Sequence, residues 1–167
     1  MHITASAAIV GFSLLLASCA TTVTSPNSAK VEGNSPIINP RAITDTEKAE
    51  VVQRGEMLYK EISGFWMGAA TGQLSDFALT TVRLKGDVFV AHFFVKSTGR
   101  LDCSIDRQVF GVFDRSNQTL EFVMEGDIAC IQNFLYRARF YLPEKKGEYL
   151  TGRKKLLGGA FIVKNVQ

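Results

Sequence analysis

The chain has 167 residues, 46% hydrophobic and 21% charged, which suits one globular domain with a real core and excludes a disordered or fibrous chain. A net charge of +3 is too small to argue for a nucleic-acid partner. The placement of charge says more: residues 1–19 carry none, and all 19 Lys/Arg and all 16 Asp/Glu lie beyond Cys19.

The first element is an apolar run, Ala7 to Ala17, reading AAIVGFSLLLA. A spanning helix needs about 20 such residues. A shorter run followed by small residues predicts the core of a secretory signal peptide over residues 1–18. The stretch ahead of it, MHITAS, lacks the Lys or Arg usual in such a leader. Next come Leu16, Ala17, Ser18 and Cys19. This aliphatic–small–small–Cys order resembles the lipobox of bacterial lipoproteins. The resemblance implies cleavage before Cys19, acylation of Cys19 and a lipid anchor, and Ala20 in the next position implies the outer membrane, facing the periplasm. Two or more acyl chains hold a protein stably where one holds only marginally.

Residues 19–40 are rich in Ser, Thr, Asn and Pro and show no apolar period, so they predict a flexible tether. The alternative is an arm packed on the domain through Ile37 and Ile38. A helix signal follows in residues 41–63. Thr44 and Glu47 have the spacing of a capping box. Val51, Val52, Leu58, Tyr59 and Ile62 form a stripe at helical spacing, predicting an amphipathic helix from Asp45 to Ile62 that stops at Gly64.

From Gly64 the period changes to two. FWMGAAT, DFALTTVRL, VFVAHFFV, RLDCSID, QVFGVFD, TLEFVME, FLYRARFYL and GGAFIVKNV are the predicted strands of residues 64–167. Turn signals lie at Lys85-Gly86-Asp87, Ser97-Thr98-Gly99, Arg115 to Gln118, and Pro143 to Gly147. Phe134, Tyr136, Ala138, Phe140 and Leu142 alternate with Arg137 and Arg139. Leu120, Phe122 and Met124 alternate with Glu121 and Glu125. The expectation is a mainly β fold, an antiparallel barrel of about eight strands preceded by one helix.

Gly64-Phe65-Trp66, opening the first strand after a helix, resembles the lipocalin and wider calycin pattern. That resemblance implies that Trp66 closes one end of the barrel under an arginine near the last strand, for which Arg153 is the candidate. It also implies an interior that holds an apolar ligand.

Secretion into an oxidising compartment makes a Cys103–Cys130 disulfide the default, stabilising by roughly 3–4 kcal/mol in the chain-entropy picture. With Cys19 acylated, the remaining count is even. No C-x-x-C spacing marks redox or metal work. His92 is the one histidine beyond residue 18, in the strand VAHFFV, which rules out a multi-histidine metal site and argues for a plain strand position. Asp102 and Asp106 are four apart on one strand face, opposite Leu101, Cys103 and Ile105, so they are expected on the solvated side rather than as an acid–base pair. Arg137, Arg139, Arg153, Lys154 and Lys155 make the C-terminal part basic. This patch could meet anionic lipid or pair with Glu121 and Glu125.

These features point to no catalytic residue, cofactor, metal or nucleic acid. They point to a lipid-anchored barrel that takes an apolar small ligand or serves as an envelope interaction module. An enzyme inhibitor of the lysozyme-inhibitor kind and an accessory of a secretion or envelope assembly are the competing functions.

Overall fold

A computed structural model of the chain describes residues 40–68, 73–96, 104–128, 131–152 and 157–167. All belong to the compact unit Val31–Gln167. The fold is a closed antiparallel barrel of eight strands preceded by one short helix, α1 (Asp45–Arg54). The strands are β1 (Glu56–Met67), β2 (Leu74–Lys85), β3 (Val88–Val95), β4 (Ile105–Asp114), β5 (Thr119–Ile128), β6 (Ile131–Tyr141), β7 (Lys146–Gly152) and β8 (Leu157–Val166). They run in sequence order, and β1 pairs with β8 to close the wall. Closure removes the free edges that an open sheet of this size would expose. Gly64 sits on that closing pair, where a Cβ would fall 2.0 Å from the Ile162 carbonyl oxygen. Only glycine permits the approach.

The helix is shorter than its stripe predicts. It ends at Arg54, with Gly55 extended at the cap, and Leu58, Tyr59 and Ile62 belong to β1. The boundary expected between residues 63 and 64 therefore lies at Gly55. The physical reason is a β-bulge: the β1–β2 register shifts between Met57 and Tyr59. The extra residue resets the side-chain alternation, so a strand reproduces a spacing that otherwise reads as helical. At Gly55 a Cβ would meet the Val51 carbonyl oxygen at 2.4 Å, and Arg83 of β2 donates from Nε to the Gly55 carbonyl oxygen at 2.9 Å. Tertiary contact thus overrides the local helical pattern. The helix start matches expectation. Glu47 N–H donates to Thr44 Oγ1 at 3.3 Å, and Thr44 N–H donates to Glu47 Oε2 at 2.8 Å.

The strand count agrees with the sequence, but two assignments differ. Ile105 and Asp106, expected in a separate RLDCSID strand, open β4 and are continuous with QVFGVFD. Lys146 to Gly152, KGEYLTG, is a strand the pattern missed. It is short and contains two glycines, so alternation alone gave no signal. Tyr149 is 1% exposed there and Gly147 is also buried.

The lumen is filled by side chains. Phe77, Phe89, Phe93, Phe122, Tyr136, Phe140, Tyr149 and Phe161 are all nearly inaccessible. Ring centroids lie 4.7 Å apart for Phe77–Phe161 and Phe140–Phe161, 5.0 Å for Phe93–Phe122 and 5.4 Å for Tyr136–Tyr149. An eight-stranded barrel is just wide enough for its own side chains. Each buried aromatic contributes roughly 1.5–3 kcal/mol by leaving water. Helix α1 lies outside the wall, with Val51 packed on the outward-facing Val88 and Val90 and joined by Ile43 and Phe110.

Candidate functional site

With the lumen occupied by aromatic rings, the concave feature of interest lies in the wall. The β4–β5 ladder covers only Gly111–Asp114 against Thr119–Phe122. Farther from the β4–β5 turn, Ile105 to Phe110 pair with β3, and Val123 to Ile128 pair with β6, but the two segments share no ladder. Gly126 contributes to the parting. It has φ +120°, a conformation L side chains rarely adopt, and the β5–β6 register shifts just after it.

Arg107 spans the resulting seam. Its position in β4 has the inward register of Ile105 and Val109, both buried. Its guanidinium turns sideways, donating from Nη2 to the Asp127 carbonyl oxygen at 2.6 Å and from Nη1 to the Glu125 carbonyl oxygen at 3.4 Å. A charged side chain thus partly replaces the missing ladder bonds. Outside the seam lies a groove of about 560 Å³, a size typical of binding sites. Pro40 and Ile43 of the arm, Arg107 and Phe110 of β4, and Val123 and Glu125 of β5 are among its lining residues.

Two ion pairs hold the arm at this groove. Arg41 Nη2 lies 2.7 Å from Asp87 Oδ1 and 2.9 Å from Glu47 Oε1. The Arg41 hydrogen bond, followed by the backbone and hydroxyl of Thr44, draws the Glu47 carboxyl down to about 2. Asp87 is lowered for the same leading reason. The signal for this latch was absent from the sequence, because Arg41 and Asp87 are 46 residues apart.

The expected site residues fall as follows. Gly64 takes part in barrel closure, as described above. Trp66 lies partly buried on the core cluster, its ring 5.8 Å from that of Tyr149. The Tyr149 hydroxyl donates to the Met67 carbonyl oxygen at 2.6 Å. Trp66 Nε1 and the Tyr136 hydroxyl are buried near one another without a well-formed hydrogen bond. Burial, with Tyr149 alongside, pushes the Tyr136 phenol well above its usual range. Arg153, Lys154 and Lys155 lie outside the described residues, as do Cys19, Cys103, Cys130 and Asp102.

Arg139 is neutralised. Its Nε donates to Glu121 Oε1 at 2.6 Å, and its Nη1 reaches the Tyr141 hydroxyl at 3.1 Å and Glu148 Oε1 at 3.4 Å. The cross-strand order Glu121–Arg139–Glu148 is set by register. Arg137 sits between Val123 and Leu150, with its Nε buried and unpartnered. Arg139 is therefore held in an ion-paired network within the wall rather than standing as a free cation. His92, half exposed, lies 2.5 Å through Nε2 from Asp106 Oδ1 on the outer wall. That contact follows from the β3–β4 register, which sets His92 diagonal to Asp106. No family model, no curated protein and no solved structure matches the chain.

Proposed function

We propose that this protein is a lipid-anchored interaction module of the bacterial envelope. Acylated Cys19 would hold it at the outer membrane, facing the periplasm, and the outer wall of the barrel would meet a protein partner. The observation that favours an interaction surface over an apolar-ligand carrier is the lumen. Its rings touch one another at 4.7–6.5 Å between centroids, so a ligand would have to displace several buried aromatics. Each displaced ring would forfeit roughly 0.5–1.5 kcal/mol of pairing beyond the lost burial. The sequence around Cys19 supports the anchor, and the even remainder of Cys103 and Cys130 supports a disulfide in an oxidising compartment. No arrangement of catalytic groups among the described residues motivates an enzymatic role.

The address and the wall function are tested separately. Mass spectrometry of the chain made in a Gram-negative host should find an N-terminus at Cys19 carrying acyl chains. An unmodified Cys19 would defeat the anchor. Organic extraction of the folded protein should release no stoichiometric lipid beyond the covalent chains. A one-to-one extracted lipid would restore the ligand-carrier function.

A further inference from the structure

Strand register fixes which side chains share the outer face of the wall. On β1, Ile62 and Trp66 pack on the core, so Phe65 and Met67 point outward. Phe65 pairs with Ile162 of β8 on one side and with Asp76 of β2 on the other. Met67 pairs with Ala160 and Leu74, and Ala78 of β2 pairs with Phe94 of β3. Ile162, Met67, Leu74 and Phe94 are 37–50% exposed. Four adjacent strands thus carry one apolar face, while α1 packs elsewhere, on Val88 and Val90. Scattered apolar residues on a surface are ordinary, but a contiguous face marks a site of interaction.

Two opposite charges flank Phe65. Lys164 of β8 lies with its Nζ 4.3 Å from the Phe65 ring centroid. Asp76 stands on the other side, in β2. Among the described residues neither makes an ion pair. Covering the face with a wholly apolar surface would bury the Asp76 carboxylate without a counter-charge, which is costly. The occupant must therefore bring a cation to Asp76 and an anion to Lys164.

We propose that the occupant is a second copy of this chain, related to the first by a two-fold axis running along β1. A two-fold contact has to be self-complementary. Here the axis sets β8 of one copy over β2 of the other, so Lys164 of each copy reaches Asp76 of its neighbour. Phe65 and Met67 pack about the axis, with Ile162 and Leu74 at the flanks. Two aligned sheets pack about 10 Å apart, a gap that such side chains fill. The face covers only a few strands of a convex wall, less than the roughly 800 Å² per partner of a standard interface, so the dimer is a weak one. The proposal rests neither on the anchor at Cys19 nor on the protein partner proposed above.

Sedimentation equilibrium of the full chain tests it, with every variant sharing one N-terminus so that association through that segment cancels. The unaltered chain should dimerise within about 10–500 µM. Asp76→Lys should weaken the dimer about tenfold or more, and Asp76→Lys with Lys164→Asp should restore it. Leu74→Ser with Ile162→Ser should abolish it without lowering the melting temperature, because both side chains are exposed. A monomer throughout that range, a dimer indifferent to Asp76→Lys, or a double swap that fails to restore it would overturn the proposal. A monomeric chain that binds phosphatidylglycerol vesicles, and loses that binding with Leu74→Ser and Ile162→Ser, would also overturn it and give the face to a lipid surface.

Discussion

Arg139 shows how little a side chain's formal charge says about its role. Its side chain is 13% exposed, and its guanidinium is shared among Glu121, Glu148 and Tyr141. Arg139→Ala would remove the donor at partly buried Glu121 and leave Glu148 with the Tyr141 hydroxyl. The expected cost is about 1–3 kcal/mol, read as a lower urea midpoint. Replacing Arg139 and Glu121 together with Met and Leu should cost less than the single change, because no charge is stranded between those two positions. Tyr136 makes the opposite case. Its hydroxyl is buried and has no well-formed hydrogen bond. Tyr136→Phe removes a group that was desolvated without compensation, so the melting temperature should hold or rise. A clear drop would mean that the hydroxyl has a partner near the Trp66 end of the barrel.

At the scale of elements, the arm and α1 are held to the outer wall by one apolar contact set and one ionic latch. The latch has a definite pH dependence. Glu47 and Asp87 have lower values folded than unfolded, so their contribution is fully present above the ordinary carboxylate range. For Glu47 it is lost as pH falls from about 4.5 through about 2. The arm should therefore loosen in acid before the barrel does. Limited proteolysis by an acid-active protease should cut near residues 40–44 increasingly from pH 5 to pH 2. Arg41→Ala should produce the same cutting already at pH 5. The groups are exposed, so the effect should be confined to the arm and leave the barrel's unfolding midpoint nearly unchanged.

For the whole molecule, stability rests on the packed lumen. Phe140 touches Phe77, Phe122 and Phe161 within one aromatic stack. Phe140→Ala should cost about 3–5 kcal/mol, measured by denaturant unfolding, and open a dry cavity. That cavity supplies a control for the proposed function: the variant should take up small apolar probes that the unaltered barrel excludes. Equal uptake by both proteins would mean the lumen already has accessible space.

The class of fold was legible in the chain alone, because alternation in segments such as Phe134 to Leu142 is a local property with period two, and the structure buries the face it names. The capping box at Thr44 and Glu47 was legible for the same reason, since its partners are three residues apart. Three features were decided only by tertiary pairing. Helix α1 stops at Gly55 because Arg83, 28 residues away, engages its carbonyl oxygen. The strand β7 exists because β6 and β8 offer it partners, although its own sequence hardly alternates. The seam appears because Gly126 turns β5 and Arg107 leaves the inward register to span the gap. Local periodicity specifies which way a side chain faces, but which strand edges meet depends on where distant parts of the chain come to rest.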